Sequence, residues 1–240
     1  MTDQNNTTPS SASPETKYRK VWGRRQTRPM RGNQKRLLDD LYPQIKIDLI
    51  QGEVLVPSLL FPTLNSFHLE IGFGGGEHLS WRAQQSPDVG FIGCEPFLTG
   101  VANLLCDVED HHLTNIRLFN DDARLLVSAL PDACLERVYI LFPDPWHKER
   151  HKKRRIVHDE TIDDYSRILK VGGELIMATD IAEYGEWMQE ILSKREEFAP
   201  QMGHRGSLKE RPEPWPLTKY EQKGIAASRE AVFLVYKKIK

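Results

Sequence analysis

From Ser66 onward, short apolar runs alternate with stretches of helical periodicity, and this pattern limits the fold more than any other feature. It predicts strands at 67–72, 89–95, 115–119, 135–142, 173–180 and 231–239. Strands separated by helices are typical of an α/β fold, here a doubly wound, mostly parallel sheet. Such sheets bind ligands beyond the carboxyl ends of their strands, where the strand order reverses. Candidate functional residues are therefore those that directly follow a strand.

The first 40 residues differ in composition from the remainder of the chain. Residues 1–16 are polar and almost free of large apolar side chains, so they cannot offset their ordering entropy and are expected to form a disordered tail. Residues 17–40 begin with a run of cations that no acid interrupts, which predicts a phosphate-binding basic arm or, alternatively, an inert solvated one. With 240 residues in total, 41–240 are expected to form one domain.

Composition excludes several other classes of protein. The net charge is −1, so any affinity for a polyanion must come from clustered cations. The three cysteines are widely spaced without a CxxC pair, which indicates reduced core thiols and neither disulfides nor a zinc site. No leader is evident, and no apolar run approaches the roughly 18 residues of a membrane span. A cytoplasmic location without membrane association is expected.

A glycine-rich segment, "LEIGFGGGEHL" at 69–79, leads from the first strand into a predicted helix. Gly72 and Gly74 would allow a tight turn and close approach of a ligand, although glycines needed only for packing would look the same. A dinucleotide fingerprint that begins at Gly72 requires Gly or Ala where this chain has Glu77. Glu70, at the strand end, would repel a pyrophosphate. These features favour a cationic ligand such as S-adenosylmethionine, which carries an ammonium and a sulfonium group.

Acids also follow the next two strands. Glu95 comes after the second strand, about where a carboxylate meets ribose hydroxyls in nucleotide-binding sheets. Asp121 and Asp122 stand at the start of the helix after the third strand, where an acid could bind the adenine amino group or only cap the helix. Asp122 is the favoured ligand residue because it directly precedes the helical run.

The fourth strand runs into "FPDPWHKERHKKRR" at 142–155. Pro143 and Pro145 restrict the residues before them, so Asp144 is expected on a stiff backbone that suits a side chain directed at a substrate. A strand-terminating turn without further role is the alternative. The cations that follow are expected to grip phosphates beside the pocket, although a solvated charged run would have the same composition.

Five segments together carry a resemblance to a known family: "FPDPWHKERHKKRR", "LEIGFGGG", "GCEPF", "ATD" at 178–180 and "TKYEQKG" at 218–224. From about Arg24 to its end, the chain resembles the bacterial tRNA (guanine-N7-)-methyltransferase family. The resemblance implies a fold of the class I S-adenosylmethionine-dependent methyltransferase type. It also implies methyl transfer from S-adenosyl-L-methionine to N7 of a guanosine in the tRNA variable loop, usually at position 46.

The resemblance also implies site residues, position by position. Asp144 matches the proposed catalytic position. The cofactor-binding positions, with two glycines of the loop, are Glu70, Gly72, Gly74, Glu95, Asp122 and Asp144. The substrate-binding positions are Lys148, Arg150, Arg154, Arg155, Asp180, Thr218, Lys219, Tyr220 and Glu221. Asp180 could instead cap a helix that starts near residue 181, and 218–224 could be an ordinary polar loop.

The implied partner is tRNA; no membrane and no metal are expected, and the chain is expected to be a monomer or weak homodimer.

Two other functions fit parts of the pattern. An RNA-binding module without catalysis would need only the basic segments, but acids at three strand ends would weaken its RNA binding. A methyltransferase that acts on an exocyclic amino group would also place an acid and prolines after its fourth strand. Calorimetry with S-adenosylmethionine tests the first alternative, and mapping the methylated atom tests the second.

Overall fold

The computed structural model describes residues 30–201 and 206–240. The strands within these ranges are β1 Ser66–Ile71, β2 Val89–Cys94, β3 Ile116–Phe119, β4 Leu135–Leu141, β5 Leu169–Thr179, β6 Phe198–Pro200, β7 Ser207–Leu208 and β8 Val232–Lys238. The helices are α1 Gly32–Asp40, α2 Tyr42–Ile45, α3 Pro57–Leu60, α4 Glu77–Gln85, α5 Leu98–Asp110, α6 Ala123–Ala129, α7 Asp159–Ile168, α8 Ala182–Ser193 and α9 Lys219–Ala226. A 3₁₀ turn covers Glu149–Arg154. The tail predicted at 1–16 and residues 17–29 of the predicted arm lie outside the described residues.

One sheet contains these strands in the order β3-β2-β1-β4-β5-β8-β6, with β7 paired to β8. The pairs among β1 to β5 are parallel, whereas β8 runs antiparallel to β5. The predicted doubly wound, mostly parallel fold is therefore confirmed. The chain moves outward from β1 to β3 and then returns to β4 on the other side of β1, so the strand order reverses between β1 and β4. That reversal marks the crevice in which such sheets bind ligands.

The six predicted strands are all present, whereas β6 and β7 were not predicted. Their lengths of three and two residues are too short for a pattern with a period of two to be visible. All three cysteines are free thiols, and Cys94 is buried. Within the described ranges, no helix combines the length and the apolar character needed to cross a membrane.

Helix α1 attaches the last part of the predicted arm to the domain. Leu37 is fully buried and packs with Val101 and Leu104 of α5. The Gln34 side-chain amide donates to Asn103 Oδ1 of α5 at 2.9 Å. The domain start predicted at residue 41 therefore falls after packed structure has already begun, because the apolar side of α1 is part of the core.

Central strand β1 is buried on both faces, as the middle of a parallel sheet requires. One face carries Phe67, Leu69 and Ile71, which belong to the larger core cluster. The opposite face carries His68 and Glu70, whose polar side chains are also buried. Polar groups under the glycine loop are thus enclosed by the fold.

The buried imidazole of His68 should make stability depend on pH. Burial is the main cause that lowers the pKa of His68 to about 3, and the nearby cations of Arg137 and Arg82 add to it. The unfolded chain takes up this proton near pH 6.5. The contribution of His68 to the free energy of unfolding is therefore fully present above about pH 6.5. It is lost as the pH drops towards 3, by up to about 1.4 kcal/mol per pH unit. Urea unfolding between about pH 7 and pH 4.5 should show a smaller loss for His68→Asn than for the wild type. Equal losses in the two proteins would assign the effect to other groups.

Candidate active site

The glycine loop connects β1 to α4 at the carboxyl end of the sheet. Gly72 has a φ of +73°, which favours glycine, and a Cβ built there would meet nothing within 4 Å. The Gly72 N–H donates to the Cys94 carbonyl at 2.7 Å, which fastens the loop to the end of β2. The loop therefore presents bare backbone with open space beside it, as close approach of a ligand requires.

Glu95, directly after β2, braces this loop. Its carboxylate accepts hydrogen bonds from the backbone N–H groups of Gly74 and Phe97, both at 2.9 Å, and the residue is 4% exposed. Burial raises the pKa of the Glu95 carboxyl, although the two N–H donors act against it. A carboxylate has about four acceptor sites, so two bonds within the protein leave capacity for ribose hydroxyls.

The other two strand-end acids are also engaged by protein partners. Glu70 is 3% exposed, and its Oε2 lies 2.7 Å from Nδ1 of His78, in the first turn of α4. Asp122 is the N-cap of α6 and accepts from the Arg124 backbone N–H at 3.0 Å. Its carboxylate also accepts from the Arg124 guanidinium. The capping alternative considered for Asp122 is thus realised, and any contact with a ligand would come in addition to it.

The chemistry of these acids fits a cationic nucleoside ligand. Glu70, Glu95 and Asp122 lie at or just after the carboxyl ends of β1, β2 and β3, which are adjacent in the sheet. Their negative charges suit a sulfonium and an ammonium group, and burial strengthens that attraction relative to water. The open side of Gly72 adds room at the same edge. Among the residues that the structure describes, no group of three or more His, Cys, Asp or Glu is arranged to bind a metal ion.

The Pro143-Asp144-Pro145 turn after β4 is flanked by two residues with left-handed backbone. Phe142 has a φ of +51° and Trp146 a φ of +44°, which non-glycine residues adopt only when surrounding contacts hold them. Asp144 Oδ1 accepts from the Trp146 N–H at 3.2 Å, and the Asp144 side chain is exposed. The turn thus displays a carboxylate on a restricted backbone.

The cations after this turn divide into exposed and buried groups. Lys148 and Arg150 are exposed. Arg154 is half-buried, with its guanidinium 4.9 Å from the ring centre of Trp146. Arg155 differs, because its side chain is 0% exposed and pairs with Glu183 at 2.7 Å. The assignment of Arg155 as an RNA contact is therefore corrected, since a guanidinium enclosed in the domain cannot reach a phosphate.

The "TKYEQKG" segment is a helix start and not a polar loop. Thr218 caps α9 by accepting from the Glu221 N–H at 3.2 Å. The Lys219 ammonium pairs with Glu77 at 2.9 Å, next to the glycine loop. This segment accordingly docks on the loop, although the two are far apart in the sequence.

Tyr220 packs against the glycine loop. A Cβ built on Gly74 would lie 2.8 Å from Tyr220 Cε2, so only glycine leaves room for this ring. Burial raises the pKa of Tyr220, and the charges of Glu95 and Asp144 raise it further. The Tyr220 ring therefore packs on the glycine loop, and the Asp144 turn follows β4, the strand beside β1, at the same end of the sheet.

A cleft of about 530 Å³ beside α9 and β8 contains two more of the predicted site residues. Asp180 accepts from Arg229 Nε at 2.7 Å, and Glu221 accepts from Arg211 Nη2 at 2.6 Å. Asp180 does not cap α8, since that helix has Ile181 as its N-cap.

Both arginines of the cleft were missed by sequence reasoning, because neither Arg211 nor Arg229 belongs to a motif. Charge pairing across long stretches of chain leaves no local pattern to recognise. A guanidinium offers parallel N–H donors, as guanine does through N1 and N2. The carboxylates of Asp180 and Glu221 already hold donors of this kind.

Comparison with known sequences gives close relatives. Residues 65–234 match a family model described as "Putative methyltransferase". The chain is 39% identical over 227 residues to a tRNA (guanine-N(7)-)-methyltransferase of Rhodospirillum rubrum, an alignment that covers 93% of this chain and 89% of the relative. It is 43% identical over 224 residues to a protein of the same name from Paramagnetospirillum magneticum, with 91% and 92% covered.

Solved structures share the architecture at low identity. An rRNA methylase from Streptococcus thermophilus matches with a TM-score of 0.51 and 12% identity, over 75% of this chain and 91% of that one. The 16S rRNA methyltransferase KamB matches with a TM-score of 0.55 and 12% identity, over 75% and 90%. At these identities the likeness shows the fold alone.

Proposed function

The chain belongs to the tRNA (guanine-N(7)-)-methyltransferase family, and from this membership we propose which guanosine it methylates and which residues take part. It transfers a methyl group from S-adenosylmethionine to N7 of a guanosine in tRNA. The proposed target is a guanosine of the variable loop, usually at position 46. The observation that carries the proposed site is that Glu95 and Tyr220 both contact Gly74 of the loop, while the Asp144 turn follows the neighbouring strand β4 at the same end of the sheet.

The proposed cofactor site consists of Glu70, Gly72, Gly74, Glu95 and Asp122, with Asp144 at its edge. When bound, S-adenosylmethionine supplies an activated methyl group attached to a sulfonium. Glu95 holds the backbone of the glycine loop through Gly74, so the shape of the loop is set in advance. The buried Glu95 carboxylate, whose protein partners are neutral N–H groups, can offset the positive charge of the ligand, whereas Asp122 already pairs with Arg124.

Asp144 is the proposed catalytic residue. Guanine N7 carries an in-plane lone pair, so no base is needed to create the nucleophile, and the main task of the protein is alignment and exclusion of water. Methylation makes the guanine cationic and its N1 proton more acidic. The exposed Asp144 carboxylate can accept hydrogen bonds from N1 and N2 and stabilise this charge as it develops. Asp180 and Glu221 are the other candidate acceptors, and each would first exchange its arginine partner for the base.

The proposed RNA-gripping surface consists of Lys148, Arg150 and Arg154 beside the Asp144 turn. Removing one cation that binds a phosphate should reduce the slope of log affinity against log salt by about 1. The double variant Lys148→Ala, Arg150→Ala should therefore bind tRNA more weakly, and its slope should be less steep by about 2. Filter binding between about 50 and 200 mM salt measures this.

A matched control for this surface is Lys194→Ala. It removes one exposed cation at the end of α8, outside the basic run, where Lys194 pairs with Glu190 at 2.8 Å. Its salt slope should equal that of the wild type. An unchanged slope in the Lys148 and Arg150 variant would remove this surface from the proposal.

The activity is tested by methyl transfer from labelled S-adenosylmethionine to an unmodified tRNA transcript, followed by borohydride and aniline cleavage at 7-methylguanosine. A single cut in the variable loop is the expected result. Label without a cut would mean that another atom, such as an exocyclic amino group, is methylated. Binding of tRNA without label would support a binding module.

The remaining proposals concern the setting of the enzyme. Because tRNA acts in the cytoplasm, we place the protein there. We propose a monomer or weak homodimer in solution. Sedimentation at several protein concentrations measures the oligomeric state, and a stable larger assembly would contradict the proposal.

A further inference from the structure

Arg155 makes an unusual set of contacts for a residue in a basic run. Its Nε donates to the Pro145 carbonyl at 2.9 Å, and its Nη2 donates to Glu183 Oε2 at 2.7 Å. The guanidinium also lies 4.6 Å from the ring centre of Tyr184 and 4.9 Å from that of Trp187. A buried guanidinium is costly unless it is hydrogen-bonded and paired; these contacts satisfy Nε and Nη2, whereas the buried Nη1 has no hydrogen-bond partner among the described residues.

We propose that Arg155 is a positioning residue that fixes the Asp144 carboxylate by clamping the turn that carries it. The Pro145 carbonyl belongs to the residue directly after Asp144, so the hydrogen bond from Arg155 orients the peptide on that side. On the other side, the Phe142 N–H donates to the Ala178 carbonyl of β5 at 2.8 Å. The turn is thus held at both ends, as its left-handed residues require. The inference rests on the proposed role of Asp144.

The anchor of this clamp is the first turn of α8. Glu183, which receives the Arg155 guanidinium, lies in that turn, where the helix N-terminus also favours a negative charge. Helix α8 follows β5 closely, and Asp180 lies between the two elements. Arg155 therefore ties the turn of Asp144 to the element beside Asp180 and sets the relative position of these two of the three candidate guanine acceptors.

Tyr184 supports the same arrangement. Burial raises the pKa of Tyr184, the charge of Arg155 acts against this rise, and the charge of Asp144 adds to it. The Tyr184 ring packs under the Arg155 guanidinium, and its hydroxyl accepts from the Val157 N–H at 3.4 Å. Next to them, the Trp187 indole donates to the Val157 carbonyl at 2.9 Å, which fastens the chain after Arg155 to α8.

The contacts also explain why an arginine occupies this position. The guanidinium donates to two different acceptors while it lies 4.6 and 4.9 Å from two aromatic ring centres, a combination that the ammonium of lysine does not reproduce. Arg155→Lys keeps the positive charge that pairs with Glu183 but loses the planar set of N–H donors. Its kcat should therefore lie between that of Arg155→Gln and that of the wild type.

The test measures methyl transfer to an unmodified tRNA transcript by the full-length chain with Arg155→Gln, Arg155→Lys and Arg150→Gln. Misplacement of a catalytic group by about 1 Å can cost about 100-fold, so Arg155→Gln should lower kcat by roughly 10- to 100-fold. Its KM for tRNA and its salt slope should stay at the wild-type values. Arg150→Gln, in the RNA-gripping surface, should raise KM and lower the slope. Arg155→Lys should recover part of kcat.

Two results would overturn the proposal. If Arg155→Gln raises KM and lowers the salt slope as Arg150→Gln does, Arg155 is an RNA contact. If its kcat is that of the wild type, the clamp is not needed. Asp144→Ala in the same assay separates the two levels of inference: normal turnover in that variant would refute the role of Asp144, whereas impaired turnover together with normal Arg155→Gln would refute the clamp alone.

A second pair of variants keeps the test decisive if Arg155→Gln does not fold. Glu183→Gln removes the charge of the anchor from a carboxylate that is 48% exposed. Glu190→Gln makes the same change on the same helix, where Glu190 pairs with Lys194 at 2.8 Å. Glu183→Gln should lower kcat without changing KM, and Glu190→Gln should match the wild type. Equal kcat values for the two variants would overturn the clamp.

Discussion

Asp144→Ala is expected to lower kcat for guanine methylation by about 100- to 1000-fold, the usual cost of removing one preorganised partner of a developing charge. The effect falls on kcat because the hydrogen bonds from guanine N1 and N2 strengthen only as the base becomes cationic. Asp144→Asn should be nearly as slow, since the amide keeps the shape but loses the charge. Single-turnover transfer at saturating S-adenosylmethionine measures the step directly.

The control for this prediction is Asp132→Ala. Asp132 precedes β4, at the opposite end of the strand from Asp144, and its side chain is 79% exposed and paired with Arg167. Exposed pairs of this kind contribute little, so turnover should stay normal. If Asp144→Ala instead weakens cofactor affinity in calorimetry while kcat is retained, Asp144 is a binding residue only.

Gly100→Ala is expected to weaken cofactor binding by displacing the glycine loop. A Cβ on this helix residue would lie 2.3 Å from the Gly74 carbonyl oxygen and 2.9 Å from Glu95 Cγ. The nearest neighbour is the backbone of the glycine loop, which has to move and to shift the Glu95 brace with it. Overpacking of this kind costs about 1–3 kcal/mol. Because the backbone that moves belongs to the proposed cofactor site, the affinity for S-adenosylmethionine should drop by about tenfold or more.

Gly185→Ala is the matched control, because it makes the same change inside another helix. Its Cβ would lie 3.5 Å from Thr179 Cγ2, an ordinary contact, and alanine is favoured over glycine in a helix by about 0.5–1 kcal/mol. Gly185→Ala should therefore bind cofactor normally and unfold at the same or a higher temperature. Wild-type cofactor affinity in Gly100→Ala would show that the contact between α5 and the loop does not shape the site.

Local pattern was enough to locate most of the fold and many of the candidate residues. The strands of a parallel sheet are short apolar runs between helices, so their carboxyl ends can be read along the chain. Glu95, Asp122 and Asp144 follow such runs and Glu70 lies near the end of one, and the structure places all four at one edge of the sheet. Strands β6 and β7 and the packing of α1 were not foreseen, since they depend on contacts with distant segments.

Arg154 and Arg155 differ in a way that the local sequence pattern does not predict. Adjacent arginines in one basic run have the same local surroundings in the sequence, yet one contacts Trp146 at the surface and the other is enclosed with Glu183. Residues on α8 make that difference, and the same kind of long-range pairing joins Arg229 to Asp180 and Tyr220 to Gly74. The sequence alone established the alternation of strands and helices and the acids at the strand ends, because hydrophobic periodicity is a local property. Burial, ion pairing and the assembly of the site emerged only in the folded chain, because they are properties of residues far apart along it.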